Sequence, residues 1–413
     1  MKALYKLSQS DRIAYLVNSG LLTANAAEYL LNSAPAECLS LADDWIENCI
    51  GAHSLPLGIV NNIPINDAQC HAVLAVEETS IIAALNKTTK WVREDGKLST
   101  ESDNILQIGQ VIVPGRLTAQ ESKSIEENIP SWVQALNTTV AHSWHQRGGG
   151  VQNITIHSFE DFFQLHVHVN TLDAMGANRT NQICEALKQL FESQFDHTVL
   201  TCILSNHTTT CSHAQLTLDI DDPILAERIV FLNQVAKQDI SRAATHNKGI
   251  MNAIEPIMIA TGNDWRATSA AIHSYAARHG RYQGLTEWSY NGNQLKGRLS
   301  VPIPLGIVGG ITRQHPGAQL ALKIMNIKRA TELAERAAAL GLLQNLAALK
   351  ALVTEGITPG HMRLHIDNIL QDFNLSQEHA SYIKSLALDY LAQHKQMNHS
   401  IIANLIDQHQ SCN

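Results

Sequence analysis

Three segments of the chain combine residue types that can transfer protons or hold a negative charge. Glu77 and Glu78 are adjacent carboxylic acids between an apolar run and a helix start, where burial can raise a carboxyl pKa enough for proton donation. Lys248 lies beside a glycine, with asparagine on both sides, a composition suited to an anion or a developing alkoxide. Asp264 lies between an apolar run and a helix, and such junctions often carry catalytic groups. Each segment also has an ordinary interpretation, as capping charges, a solvated loop or a helix N-cap respectively.

Two histidine pairs have spacings that could suit a metal ion. His361 and His365 have the i, i+4 spacing of the zinc-binding H-E-x-x-H motif, but Met362 stands where the glutamate base must be. With no cysteine or third ligand nearby in the sequence, we expect no metal, and His361 is the better candidate for acid–base work. His166 and His168 share one face of a strand, which favours a polar sheet surface over a metal site.

The segment Asp173-Ala-Met-Gly-Ala-Asn178 joins a predicted strand to a predicted helix. Gly176 permits a close backbone approach, and a helix N-terminus offers free N–H groups to a phosphate. Most loops of this kind bind nothing, so the segment alone decides little. The chain has no G-x-G-x-x-G, P-loop or G-x-S-x-G motif, so a dinucleotide, if one binds, does not occupy a Rossmann site.

The helices and strands that must position these residues are predicted most clearly between residues 104 and 205. A β-branched strand ends at Pro114, and Thr118 with Glu121 has the spacing of a capping box at the start of a helix. Two alternating strands, a second helix and a fourth strand at residues 197–204 follow. The order β-α-β-β-α-β predicts a ferredoxin-like arrangement.

The flanking regions predict a larger mixed α/β unit. Helices are expected at residues 8–17, 24–31, 264–277 and 317–339, and a strand at 256–260. We therefore predict an α+β protein, in which a small ferredoxin-like domain is inserted into a large mixed α/β domain and helices form the C-terminal part. The expected boundaries are 1–103 and 213–357 for the large domain, 104–212 for the small domain and 358–413 for the helical part.

Composition limits the classes of partner. The 413 residues are 45% apolar and 16% charged, which excludes extended disorder, and the net charge of −8 disfavours nucleic acid and anionic lipid. The seven cysteines form no C-x-x-C pair, which indicates a reducing compartment. Residues 1–20 lack the apolar core of a signal peptide, and the apolar helical stretch near residues 337–349 is too short to span a bilayer. A cytoplasmic protein is expected.

Taken together, the motifs resemble those of the 3-hydroxy-3-methylglutaryl-CoA (HMG-CoA) reductase family, specifically its soluble class II form. They occur in the family's order across about 360 residues. The segments that carry the resemblance are Glu47-Asn-Cys-Ile-Gly51, Glu77-Glu-Thr-Ser80, Asp173-Ala-Met-Gly-Ala-Asn178, Arg242-Ala-Ala-Thr-His-Asn-Lys-Gly-Ile-Met-Asn252, Ala260-Thr-Gly-Asn-Asp-Trp-Arg-Ala267 and Gly360-His-Met-Arg-Leu-His365.

The resemblance implies a four-electron reduction of HMG-CoA to mevalonate and CoA by two NAD(P)H hydrides, or the reverse reaction. The implied catalytic residues are Lys248 for the oxyanion, Asp264 to hold the lysine, His361 to protonate the CoA thiolate, and Glu78 as proton donor to the aldehyde oxygen. The implied substrate contacts are Ser80, Arg242, Asn252, Gln344 and Lys6, and the implied cofactor contacts are Asp173, Met175, Gly176, Asn178 and Asn206. The implied C-terminal part is a mobile flap that brings His361 over the site.

The family also implies a homodimer, or an assembly of dimers, with shared active sites and residues 47–51 at the contact. Members that prefer NADH place an aspartate seven residues before the triple glycine, where this chain has Ala141, so the resemblance leaves NADH and NADPH open. Two other functions stay open at this stage. They are a zinc-dependent hydrolase built on His361 and His365, and a non-catalytic protein that binds CoA esters.

Overall fold

The computed structural model describes residues 4–104, 106–354, 366, 369–394 and 397–410. Its helices, after a 3₁₀ turn at Leu4–Lys6, are α1 (Gln9–Asn18), α2 (Ala24–Leu31), α3 (Ala36–Trp45), α4 (Ile81–Asp95), α5 (Ala119–Thr138), α6 (His142–His145), α7 (Ala177–Glu192), α8 (Pro223–Gln238), α9 (Ile240–Ala260), α10 (Trp265–Ala276), α11 (Gly310–Gln314), α12 (Pro316–Ile324), α13 (Ala330–Val353), α14 (Gln377–His394) and α15 (His399–Gln410). Its strands are β1 (Leu57–Ile65), β2 (Ala68–Ala75), β3 (Gly96–Ser102), β4 (Leu106–Pro114), β5 (Gly150–Ser158), β6 (Phe162–Asn170), β7 (Thr201–Ser205), β8 (Ser212–Asp219), β9 (Thr286–Tyr290) and β10 (Gln294–Val301).

The larger sheet has the strand order β2-β1-β3-β8-β10-β9, so its strands come from both sides of the inserted segment. β1 pairs with β3 in parallel, and the other neighbours in this sheet are antiparallel. Helices α4, α9 and α13 pack on this sheet and share its hydrophobic core. The α+β fold that the sequence predicts is confirmed.

Helix α13 is the central helix of that core. The sequence prediction that this apolar stretch is too short for a membrane was wrong in length, because the helix runs for 24 residues and is apolar enough to span a bilayer. However, 67% of its most apolar window is buried inside the protein, as in the core helix of a soluble protein. The predicted single helix at 317–339 was also wrong, because the chain turns through Asn326, at φ +54°, between α12 and α13.

Residues 256–260 are helical, so the predicted strand there was wrong. They form the last turn and a half of α9, a continuous helix of 21 residues that contains Pro256. A short apolar run fits a buried strand and a buried helix equally well, and here the run continues the buried face of the preceding helix.

The smaller sheet has the order β5-β6-β4-β7, and every neighbouring pair is antiparallel. Counted from β4 as the first strand, this is the order 2-3-1-4 of a ferredoxin-like sheet, as predicted. Thr118 and Glu121 form the expected capping box at the start of α5. Helices α5 and α7 cover the face formed by residues such as Phe163 and Leu165.

Helices α14 and α15 build a separate hydrophobic cluster, in which Ile383, Leu391, Ile402 and Ile406 pack together. Residues 355–365 lie outside the described residues, and with them both His361 and His365. The predicted position of His361 therefore stays a prediction, and so do the four domain boundaries.

Candidate active site

Lys248 and Glu78 are brought together although they are 170 residues apart in the chain. The Nζ atom of Lys248, on α9, lies 3.3 Å from Oε2 of Glu78, in the loop between β2 and α4. The Lys248 side chain is 62% exposed and the Glu78 side chain 39%, so both groups are open to a ligand from solvent. A cation beside an acid is the arrangement required for stabilising an oxyanion and supplying a proton to it.

The loop that carries Glu78 has an unusual backbone conformation. Ser80 is the N-cap of α4, at φ +81°, in the left-handed region that non-glycine residues seldom adopt. Its hydroxyl makes no capping hydrogen bond to the helix. This leaves the Ser80 hydroxyl available to a ligand, and strained residues of this kind concentrate at functional sites.

The side of α9 next to Lys248 is held by a buried amide. The Asn247 side chain donates from Nδ2 to the carbonyl oxygen of Gln283 at 2.9 Å, and its Oδ1 accepts from the N–H of Leu285 at 3.0 Å. His246 Nε2 lies 2.6 Å from the hydroxyl of Thr286, and burial lowers the pKa of His246 to about 3. Both contacts fix the turn of α9 that presents Lys248.

Two predicted substrate contacts have buried polar atoms that no partner satisfies. Within the described part of the chain, Nε of Arg242 on α9 and Oε1 of Gln344 on α13 have no hydrogen-bond partner. Burial also lowers the pKa of Arg242. Because a buried polar group without a partner destabilises a protein by about 1–3 kcal/mol, such groups call for a ligand or water. Asn252, one turn beyond Lys248, is half-buried on the same helix.

Asp264 is the N-cap of α10, where its Oδ1 accepts from the N–H groups of Arg266 and Ala267, each at 3.1 Å. Arg266 Nε also lies 3.5 Å from this carboxylate. Among the hydrogen bonds of the described residues, none joins Asp264 to Lys248. The prediction that Asp264 holds the lysine therefore stays a prediction, and the local N-cap interpretation of Asp264 is confirmed.

The loop at 173–178 reaches the N-terminus of α7 with Gly176 as its N-cap at φ +81°. A Cβ at Gly176 would lie 2.4 Å from the Cγ2 atom of Thr171, so the loop excludes any larger residue there. No side chain caps α7, and its first N–H groups are thus open to a phosphate. Asn178 is exposed beside them, and Asn206 is exposed in the bend after β7.

Asp173 has a contact that the sequence did not predict. Its Oδ1 accepts from the N–H of Ala330 at 2.8 Å, at the start of α13. Met175 is half-buried, with its backbone N close to Gly306. The loop thus contacts the start of α13 and the segment after β10, and no local sequence signal could show contacts to residues more than 130 positions away.

The remaining candidates lie in other elements of the structure. Lys6 is exposed in the N-terminal 3₁₀ turn. His166 packs its ring on His157, with centroids 4.0 Å apart, and burial lowers the pKa of His166 to about 4. Among the described residues, no group of three or more His, Cys, Asp or Glu side chains is placed to hold a metal ion.

Comparison with known proteins agrees with the resemblance inferred from the motifs. A model of the family "Hydroxymethylglutaryl-coenzyme A reductase" matches residues 8–366. The 3-hydroxy-3-methylglutaryl-coenzyme A reductase of Archaeoglobus fulgidus is 37% identical over 377 residues, covering 88% of this chain and 85% of the relative. A probable reductase of Borreliella burgdorferi is 33% identical over 339 residues, covering 79% of this chain and 78% of the relative.

Solved structures agree with the sequence relatives. A 3-hydroxy-3-methylglutaryl-coenzyme A reductase from Streptococcus pneumoniae matches with a TM-score of 0.76 at 31% identity, covering 98% of both chains. A class II reductase from the same organism, bound to NADPH in open conformations, matches with a TM-score of 0.74 at 32% identity, covering 85% of this chain and 99% of that one. This chain belongs to the hydroxymethylglutaryl-coenzyme A reductase family.

Proposed function

We propose that this member of the family reduces HMG-CoA to mevalonate and free CoA, with Lys248 and Glu78 as the reacting centre. The observation that supports this most directly is the 3.3 Å contact between Lys248 Nζ and Glu78 Oε2. Among the described residues, the buried Nε of Arg242 on α9 and the buried Oε1 of Gln344 on α13 have no hydrogen-bond partner. A carboxylate and a hydroxyl on the substrate would satisfy those atoms. Family membership gives no support to a zinc hydrolase or to a non-catalytic CoA-ester binder.

In the first stage the Lys248 ammonium stabilises the oxygen of the thioester carbonyl as that oxygen becomes negative. NAD(P)H bound at the 173–178 loop would supply the hydride for each of the two reductions. The open N-terminus of α7 and the close approach at Gly176 fit a dinucleotide phosphate. Asn206 and Asn178 would complete that site, and Asp264 would support the charge on Lys248.

In the second stage the carbon–sulfur bond of the hemithioacetal breaks, and the sulfur leaves with the bonding electrons. A thiol has an unperturbed pKa of about 8.5, so a proton from His361 makes this expulsion favourable. The product is mevaldehyde. Reduction of mevaldehyde then places a second negative charge on oxygen, and protonated Glu78 donates the proton that completes the alcohol.

Ser80, Arg242, Asn252 and Gln344 would bind the HMG portion, and Lys6 the CoA phosphate. We further propose a cytoplasmic homodimer, or an assembly of dimers, with residues 47–51 at the contact. Ile46 is 59% exposed and Ile50 41% exposed at this segment, and such apolar side chains are typical of an interface. The inserted domain at 104–212 and the flap at 358–413 are part of the same proposal.

The test is an assay of nicotinamide oxidation with saturating HMG-CoA, run in parallel with NADH and NADPH. Two equivalents of cofactor consumed for each mevalonate and each CoA thiol formed are the expected result. The relative kcat/KM of the two cofactors then assigns the preference, which Ala141, His142 and Arg147 leave open. Cofactor oxidation without mevalonate, or activity that chelators abolish and zinc restores, would contradict the proposal.

His361→Ala separates the two stages. We expect this variant to lose turnover of HMG-CoA by about 10²–10⁴-fold, the usual contribution of a general acid, because the thiolate is no longer protonated. Reduction of free mevaldehyde needs no thiolate departure, so its rate should fall much less. Equal losses on both substrates would remove the thiolate role from His361.

A further inference from the structure

One short segment after β10 lies between the two loops that the proposed reaction must bring together. The N–H of Gly306 donates to the side-chain Oδ1 of Asn263 at 2.8 Å. The next residue, Ile307, donates its N–H to the carbonyl oxygen of Asp173 at 2.9 Å. Two consecutive backbone amides thus connect the loop before Asp264 to the loop at 173–178.

The backbones of the two segments are in close contact at Gly306. A Cβ at Gly306 would lie 2.5 Å from the backbone N of Met175 and 3.0 Å from the carbonyl carbon of Ala174. These are backbone atoms, which cannot rotate aside as the end of a flexible side chain can. Any separation of the two loops must therefore break a hydrogen bond or open a close backbone contact.

Asn263 is itself fixed on the other side. Its Nδ2 donates to the hydroxyl of Thr261 at 2.9 Å, so both ends of the amide are used and its orientation is set. The Thr261 hydroxyl donates in turn to the last turn of α9, to the carbonyl oxygen of Ile257 at 2.8 Å. The connection therefore continues from the loop at 173–178 into the helix that carries Lys248.

We propose that Asn263 is a positioning residue that sets the distance between the loop that carries Asp264, at the end of the helix that carries Lys248, and the cofactor loop at 173–178. The inference rests on the proposed function, because it takes Asp264 and the 173–178 loop as parts of one reacting site. Hydride transfer is sensitive to displacements of about 1 Å, and such displacements can lower a rate by about 100-fold. Asn263 touches neither the substrate nor the cofactor in this scheme and acts through Gly306.

The first test compares Asn263→Ala with Thr268→Val. Thr268 donates its hydroxyl to the carbonyl oxygens of Pro304 at 3.2 Å, in the same segment, and of Asp264 at 3.3 Å. Its loss therefore removes hydrogen bonds to both neighbouring backbones and leaves the Gly306 bond in place. For Asn263→Ala we expect kcat to fall about tenfold or more, with KM for HMG-CoA changed less than about threefold. The primary isotope effect with 4-deuterated NAD(P)H should rise, since a misaligned hydride makes transfer slower than the other steps.

Asn263→Asp tests rescue, because a carboxylate oxygen can still accept from the N–H of Gly306. We expect its kcat to exceed that of Asn263→Ala by at least about threefold. Thr268→Val should lose stability without a change in the isotope effect. A wild-type kcat and isotope effect in Asn263→Ala, or equal changes in Asn263→Ala and Thr268→Val, would overturn the proposal.

A second test does not depend on turnover. Amide hydrogen exchange should become faster at residues 173–178 in Asn263→Ala, and stay at the wild-type rate in Thr268→Val. If wild-type protein fails to oxidise NAD(P)H with HMG-CoA, the proposed function fails, and the exchange experiment still decides whether Asn263 holds the loop. Unchanged exchange in Asn263→Ala would show that the connection is not fixed by this side chain.

Discussion

Helix α9 has two faces that differ in how completely their polar groups are paired. On one face, both polar atoms of the Asn247 amide are bonded to backbone groups and the residue is fully buried. On the other, Lys248 is largely exposed with one carboxylate as neighbour. The paired face holds the helix in place, and the unpaired face retains an ammonium for a ligand to bind. A second donor is open elsewhere on the helix, because the buried Nε of Arg242, one turn before His246, has no partner among the described residues.

Removing the Lys248 ammonium from the unpaired face should have the largest effect on activity. Lys248→Ala should lower kcat for both HMG-CoA and mevaldehyde by about 10²–10³-fold or more, as for loss of an oxyanion donor. The fold should be intact, because the ammonium contributes only an exposed ion pair to stability. Steady-state kinetics on both substrates, with circular dichroism, measure the two effects.

Lys350→Ala is the control for Lys248→Ala. Lys350 lies 3.7 Å from the centroid of the Trp91 ring, and no ion pair or hydrogen bond among the described residues joins it to Glu78, so its loss removes a lysine and leaves the Lys248–Glu78 contact in place. A variant that lacks Lys248 but retains more than a tenth of wild-type activity would assign the oxyanion to another group.

Arg242 tests whether the unpaired donor serves the substrate. Arg242→Ala should raise KM for HMG-CoA by about 10–100-fold, the equivalent of one charge-assisted hydrogen bond of about 1.5–3 kcal/mol. Its thermal stability should be unchanged or higher, because a buried donor without a partner is removed. A loss of stability with unchanged KM would show that Arg242 serves the fold instead.

The smaller sheet could be predicted from sequence because its signals are local. Strict alternation marks β6, and Thr118 and Glu121 lie three residues apart in one capping box. The larger sheet could not be predicted in this way, since β3 and β8 pair across more than a hundred intervening residues. Residues 256–260 are apolar, and the run alone does not show that it continues the buried face of the preceding helix.

The site itself required more than local pattern. From local sequence alone, Glu78 and Asp264 are ordinary capping residues and Lys248 belongs to a solvated loop. Only the order of these segments along the chain suggested a family. The contact between Lys248 and Glu78 depends on the pairing of distant elements, as does the bond between Asn263 and Gly306. An asparagine has no sequence signature for a backbone partner 43 residues away.

The paired face should respond to substitution in stability first. Asn247→Ala leaves the N–H of Leu285 and the carbonyl oxygen of Gln283 without their partner, at about 1–3 kcal/mol for a buried polar group left unsatisfied. Urea denaturation measures the loss. Asn128→Ala, which removes an amide bonded within its own helix, should change stability by less than about 0.5 kcal/mol.

The smallest effect is the pH dependence of stability at His246, beside Asn247 in α9. Its Nε2 is hydrogen-bonded to Thr286, and its buried Nδ1 has no partner among the described residues. The pKa of His246 is about 3 in the folded protein, because burial disfavours the charged form, and about 6.5 when the chain unfolds. As the pH falls below 6.5, His246 takes up a proton in the unfolded state and not in the folded state. Protonation therefore stabilises the unfolded state, and the contribution of His246 to folding stability is complete only above that pH. The stability that it contributes should fall by about 1 kcal/mol between pH 6.5 and 5.5, and further as the pH falls towards 3.

His246→Gln removes this titration and keeps a side chain able to hydrogen bond to Thr286. The difference in unfolding free energy between wild type and His246→Gln should therefore shrink by about 1 kcal/mol from pH 6.5 to 5.5. The contribution of His166 is present in both proteins and cancels in that difference. His53→Gln, at an exposed position, is the control for replacing a histidine by glutamine. If the pH profile of His246→Gln were parallel to that of wild type, His246 would have to take up its proton in the folded protein. The face behind Lys248 would then be open to water.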